Sequence, residues 1–239
     1  VRPWNDLSLT SQPLPEPLCR KAGMSIDAER LPWVRLLKKV APQNRGLMQT
    51  FRTFVGAAAC AVAAGQREEE YLSIIRGWSR EDLTPFGHVL GQLVLDMEKH
   101  EYTDILGPAY EAFEGKGNRQ AIGSFYTPDS VANLAARLAV QGMQWPERGP
   151  LGIHEPAGGS GAMLLAAVRE FRQQGAPPQS IRIQTWDINK LACDMVYLNL
   201  TLHGVPAEVV HGDTLRYEKW SVWRNVWYYA AHGWQREAA

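Results

Sequence analysis

The chain has 239 residues, 45% of them hydrophobic, enough for one full-sized core with a small second unit. Its 25 basic and 25 acidic side chains cancel, which excludes a general attraction to phosphate backbones and leaves any nucleic-acid contact to a local basic patch or a partner. The three cysteines, Cys19, Cys60 and Cys193, are odd in number and widely spaced, which excludes a disulfide framework or a cysteine metal site and fits small core residues in a reducing cytoplasm.

Residues 1–23 carry four prolines and no sustained periodicity, so an extended leader is expected there, with Met24 as an alternative start. From 24 to 114 the pattern is helical. In LPWVRLLKKV, Leu31, Trp33, Val34, Leu36, Leu37 and Val40 form one apolar face. The alanine-rich run TFVGAAACAVAAG (53–65) is too short to cross a bilayer and lacks the position and flanks of a signal peptide, so it reads as a buried, helix-packing segment. In TPFGHVLGQLVLDMEKH, Thr84 is the expected N-cap and Pro85 the first helical residue. DILGPAYEAF places Ile105, Leu106, Ala109, Tyr110 and Phe113 at helical spacing, for four to six helices in all.

GKGNRQAIGSFYTP (115–128) reads as a loop, and the change of unit falls near 114–122. Beyond it, helix PDSVANLAARLAVQG, strand LGIHEP, helix GAMLLAAVREFRQQG, strand SIRIQTWD, helix NKLACDMVYLNLTLHG and strand AEVVHGD follow in turn. This alternation over 115–239 predicts an α/β fold with a parallel sheet and helices on both faces. The run WSVWRNVWYY is the expected fourth strand.

The turn between the first strand and its helix is EPAGGSGAML. Gly158, Gly159 and Gly161 allow a tight turn and close approach of a ligand to a helix N-terminus. The GK[ST] ending of a phosphate-binding P-loop is absent, and the spacing departs from G-x-G-x-x-G. The first three strands each end in a carboxylate, Glu155, Asp187 and Asp213. Acids grouped at one sheet rim repel phosphate and suit a cationic nucleoside such as a sulfonium; each taken singly is equally a helix cap or a loop acid.

EPAGGSGAML resembles the cofactor-binding motif of the adenine-N6 DNA methyltransferases, D/N-P-x-x-G-S-G. GSFYTP (123–128) is similar to the segment preceding it in that family, and HGDTL (211–215) to the third-strand motif. The order along the chain matches the gamma arrangement of modification subunits in type I restriction systems, over roughly residues 84–215. The resemblance implies a Rossmann-like methyltransferase fold and S-adenosyl-L-methionine as cofactor. By position, Gly123, Phe125, Tyr126, Thr127 and Pro128 would line its methionine end. For Phe125 and Tyr126, domain packing is the competing reading. Glu155, Pro156 and the turn Gly158, Gly159, Ser160 and Gly161 would hold the amino-acid and ribose portion. Asp187 would accept from the ribose hydroxyls, Ile188 would pack on the adenine, and Asp213 with Thr214 would face the adenine amine.

One part of the family pattern is missing. Adenine's exocyclic amine is a poor nucleophile, and the family activates it with N/D-P-P-Y/F/W, whose aromatic stacks on the flipped base. No such motif occurs here; NVWY (225–228) and YAAH (229–232) are the two registers closest to it. Two classes stay open: an adenine-N6 methyltransferase with an unconventional catalytic loop or completed by another chain, and a catalytically silent cofactor-binding or interaction protein. Expected partners are DNA, reached through a chain supplying target recognition, and a protein partner or second copy; the four late tryptophans, Trp220, Trp223, Trp227 and Trp234, read as packing of the last strand and helix.

Overall fold

Helix α1 (Pro32–Val40) opens on a proline, whose fixed φ and missing amide suit the first helical position. The next amide, of Trp33, donates to Asp96 Oδ2 at 2.9 Å, so a buried carboxylate from a distant helix caps α1. The computed structural model describes residues 26–122, 127–141, 143, 146 and 149–232; the expected leader, residues 1–23, lies outside them. Five further helices follow α1: α2 (Leu47–Ala61), α3 (Glu68–Ile74), α4 (Arg80–Leu83), α5 (Phe86–Lys99) and α6 (Leu106–Ile122). The apolar face expected of α1 is buried at Trp33, Val34 and Leu37, and Ile105, Leu106, Ala109 and Tyr110 are buried in the same core. The alanine-rich segment is the buried body of α2, closed off from Thr53 through Cys60.

Two local expectations are corrected. Residues 115–122 are the second half of α6 rather than a loop. Glycine and polar residues lower helix propensity without removing a backbone donor, and the first residue that does so is Pro128. Thr84 ends α4, donating its hydroxyl to the Arg80 carbonyl at 2.7 Å, and Pro85 is the N-cap of α5 rather than its first residue.

α7 (Asp129–Val140) precedes β1 (Leu151–Glu155), α8 (Ala162–Gln173), β2 (Ile181–Asp187), α9 (Lys190–Leu202) and β3 (Ala207–Asp213). These three strands lie side by side in the order β1-β2-β3 and are parallel. Moving one way across a sheet with right-handed crossovers puts successive helices on one face. Leu165, Val168 and Phe171 of α8 and Cys193, Val196 and Leu200 of α9 accordingly share one core with Ile181, Ile183, Ala207 and Val209.

The expected fourth strand exists but ends early and runs the other way. β4 (Glu218–Arg224) is antiparallel to β3, with a bulge at Trp220, and the chain then turns into α10 (Val226–His232). The linker 214–217 is too short for a crossover, so only a hairpin can form. Tyr228 of α10 lies against the guanidiniums of Arg182 and Arg224. Trp227 donates Nε1–H to the Thr201 carbonyl at 2.7 Å, and Trp223 packs against the α8–α9 core.

α9 belongs to both cores: its Leu191, Met195 and Leu198 pack with the helices of the N-terminal half. On its flank, Asp194 accepts from Arg67 Nη2 (2.7 Å) and Lys190 Nζ, while Glu70 takes both Arg67 Nε and Nη2 at 2.8 Å and pairs with Lys190. Arg67 is 4% exposed and lies over the Trp223 ring, 4.3 Å from its centroid.

Cys60 and Cys193 are buried free thiols. Burial pushes the Cys60 thiol up to about 11 and raises Cys193 as well. At pH 8 only about one Cys60 in a thousand is then thiolate. With Cys19 replaced by serine, a chromogenic disulfide reagent is expected to titrate no thiol in the folded protein and two after unfolding in guanidinium; rapid labelling of the native protein would contradict this burial.

Candidate functional site

The C-terminal ends of β1, β2 and β3 form a staircase. Glu155 pairs with Thr185, two residues short of Asp187, and Asp187 pairs with His211, two short of Asp213. The three acids therefore stand at one rim, each set a step beyond the last. β1 runs into the glycine turn and α8 starts from it.

Each feature of the turn has a physical cause. The Gly158 amide donates to the Trp186 carbonyl at 2.8 Å, which lays the turn across the end of β2. A side chain at 158 would run into Thr185 Oγ1, a buried hydroxyl with no partner among the described residues. Gly161, the N-cap of α8, has φ +96°, and a Cβ there would stand 2.9 Å from Val196 Cγ2. Ser160, between them, is 1% exposed.

The carboxylates shape the loops they border. Asp187 Oδ2 accepts the Gly159 amide at 2.9 Å and Oδ1 accepts the Asn189 amide at 2.8 Å, so one side chain fastens both the glycine turn and the start of the loop into α9. The cap of α9 is Asn189, whose Oδ1 accepts from Leu191 and Ala192, rather than Asp187. Glu155 Oε1 accepts the Ala157 amide at 3.0 Å, and Asp213 Oδ1 accepts the amides of Leu215 and Arg216. Thr214 donates its hydroxyl to the Pro156 carbonyl at 2.7 Å, tying the end of β3 to the glycine turn. Ile188 is 63% exposed beside Asp187, an apolar surface facing solvent at a polar rim.

Sequence reasoning missed what lies under the turn. Asp104, at the start of α6, accepts the Ser160 hydroxyl, and Asn199 of α9 donates to both Asp104 Oδ1 (3.0 Å) and the Ser160 carbonyl (2.7 Å). All three side chains are buried. The one available signal was polar residues at core-facing positions of two otherwise apolar helical segments, DILG and NLTL.

Of the anticipated residues, Glu155, Pro156, Gly158, Gly159, Ser160, Gly161, Asp187, Ile188, Asp213 and Thr214 gather at this rim. Thr127 and Pro128 precede α7, whereas Gly123, Phe125 and Tyr126 lie outside the described residues. The two registers tried for a base-activating loop are at the opposite end of the sheet. Asn225 is fully buried; its side chain accepts from the amides of Ala207 and Tyr228 and donates to the Val205 carbonyl at 2.8 Å, which fastens the start of β3 to α10. Tyr229–His232 lie within α10.

A family model described as N-6 DNA Methylase matches residues 101–232. The methylase subunit of the type I restriction enzyme MjaIX from Methanocaldococcus jannaschii is 27% identical over 126 residues, covering 51% of this chain and 21% of that subunit. The chain thus spans about a fifth of the length of that relative. Among solved structures, the type I restriction-modification methyltransferase subunit from Streptococcus thermophilus is 25% identical, with a TM-score of 0.41 over 80% of this chain and 41% of the other. A modification subunit assigned to a type I restriction enzyme from Vibrio vulnificus is 16% identical, with a TM-score of 0.44 over 81% of this chain and 57% of the other.

Proposed function

Because the chain belongs to the N-6 DNA methylase family, we propose that its rim is an S-adenosyl-L-methionine site and that the protein serves methyl transfer to the N6 amine of adenine in DNA. The observation that carries this reading is the glycine turn bound to Asp187 with two further carboxylates beside it. The donor set fits the cofactor. A bare backbone leaves room for the amino-acid portion at the N-terminus of α8, where unpaired amides favour a carboxylate. Asp187 keeps lone pairs for ribose hydroxyls after accepting two amides. Exposed Ile188 offers an apolar surface to the adenine ring. Acids at the ends of β1, β2 and β3 suit a ligand bearing ammonium and sulfonium charges and disfavour phosphates. Once bound, the cofactor supplies an activated methyl group; the chain's own residues hold and orient it.

Target recognition is assigned to a partner chain, and the groups that accept the amine hydrogens are other than the described residues at the far end of the sheet. Asn225 is committed to joining β3 and α10, and it stands at the far end of the sheet from the glycine turn. A neutral chain is also poorly equipped to hold duplex DNA unaided.

Calorimetric titration with S-adenosylmethionine, and with ATP and NAD as controls, tests the reading. Selective binding of the first is expected; no binding by folded protein overturns it. Asp187→Ala is expected to weaken that binding by about 1–3 kcal/mol, because Gly159 and Asn189 lose their acceptor along with the ligand. Unchanged affinity would remove Asp187 from the site. Labelled methyl transfer to DNA, assayed with and without the cognate partner subunit, then checks the division of labour.

A further inference from the structure

Asp104 is buried, with 7% of its surface exposed, and the groups acting on its carboxylate are neutral hydrogen-bond donors. It collects four: the amides of Leu106 and Gly107, each at 3.0 Å, the Asn199 side-chain amide, and the Ser160 hydroxyl. The first two start α6, the third comes from α9, and the fourth is the serine of the glycine turn. Gly107 is part of the same fit, because a Cβ there would press on both Asp104 Oδ2 and Ser160 Oγ. Burying a carboxylate this completely is costly unless its oxygens are filled, so the arrangement is strongly specified.

We infer that Asp104 is a positioning residue for the glycine turn: it joins the first turn of α6 to Ser160, so that the N-terminal helical half of the chain holds the turn in the geometry that receives ligand. This inference rests on the cofactor reading of the turn. Asp104 acts through Ser160, whose carbonyl is held in turn by Asn199. Because those bonds reach the turn from two different helices, its shape is fixed from beneath while its upper backbone stays open. Burial raises the Asp104 carboxyl above its ordinary range while the four donors act in the opposite direction.

Amide hydrogen exchange without ligand, followed by titration with S-adenosylmethionine, tests this in wild type, Asp104→Ala, Asp104→Asn and Ser160→Ala. In Asp104→Ala and Ser160→Ala, the Gly161 and Leu165 amides, which close the turn into α8, are expected to exchange on the order of tenfold faster, with β2 unchanged. Cofactor affinity is expected to fall on the order of tenfold in both. Asp104→Asn is expected to stay within about threefold of wild type, since a hydroxyl can accept as well as donate and Ser160 can reverse its bond. A role confined to capping α6 would lower thermal stability in Asp104→Ala but leave Ser160→Ala with wild-type exchange and affinity, and that result overturns the inference. Should Asp104→Ala fail to fold, Ser160→Ala decides. If wild-type protein binds no cofactor, the cofactor reading fails, while the ligand-free exchange still decides whether Asp104 holds the turn.

Discussion

Replacing Asp194 by alanine is expected to remove about 3–5 kcal/mol of stability, the range for breaking a buried ion pair from one side. Arg67 is 4% exposed, and without Asp194 its guanidinium would keep Glu70 as its carboxylate partner while losing the one fixed to α9. The clamp joins the segment before α3 to the flank of α9, and α9 is shared by both hydrophobic cores. Its loss should therefore appear as a lower midpoint in urea for the whole chain rather than as local fraying. A shift worth less than about 1 kcal/mol would mean that Glu70 and the Trp223 ring satisfy Arg67 by themselves. Acid adds an independent check. Burial alone would raise the Glu70 carboxyl, but the bonds from Arg67 and Lys190 outweigh it and hold it down at about 2. A depressed carboxylate contributes fully above its unfolded value of 4.5, and that contribution is lost as pH falls toward about 2. Glu70→Gln should accordingly lose stability near neutrality and show a flatter decline over that acid range; an unchanged pH profile would remove Glu70 from the clamp.

The second large effect is expected at Gly158. An alanine Cβ would collide with Thr185 Oγ1 beneath the turn, and Thr185 is itself buried in β2. Either the threonine leaves its rotamer or the turn lifts from the strand and strains the bond from the Gly158 amide to Trp186. Overpacking of this kind costs about 3 kcal/mol at its upper end. Cofactor affinity should fall by at least about tenfold, because lifting the turn also displaces the amide that Asp187 holds. Thr185→Ala supplies the internal control. Its hydroxyl has no partner among the described residues, so that single change should cost little. Combined with Gly158→Ala it should restore most of the loss, a coupling that a double-mutant cycle measures directly. Additive effects in the double variant would show that the glycine is needed for its backbone freedom and not for its missing side chain.

The two ends of the sheet are fastened in different ways. The glycine turn is fastened along one side by Asp187 and from beneath by Asp104, so its geometry depends on β2 and on the start of α6 at once. The far end of the sheet is fastened by Asn225, whose side-chain amide is spent on three backbone groups.

Much of this was legible in order along the chain. Alternating apolar segments marked β1, α8, β2, α9 and β3, since side-chain period and strand length are local properties that survive folding. The spacing of EPAGGSGAML and the acids ending three successive strands announced that these residues gather at one rim, because parallel strands joined by crossover helices bring equivalent ends together. Helix α1 and the face of α6 were likewise readable from periodicity. What the chain alone left undecided were matters of long-range partnership. Whether 115–122 was helix or loop could not be read from its weak propensity, because glycine and polar residues disfavour a helix without breaking it. The direction of β4 depended on a linker too short to cross the sheet, and Asn225 took its role from meeting the start of β3. Asp104, Ser160 and Asn199 are separated by 56 and 39 residues, and no local pattern marks three polar groups that become partners only once two cores close around them. The sequence by itself determined the family and the order of elements, and it brought three strand-end acids and a glycine turn to one rim. Tertiary structure decided which of its polar residues stay at the open rim and which satisfy one another in the interior, because burial turns an unpaired hydrogen-bonding group into a large penalty and so selects its partner.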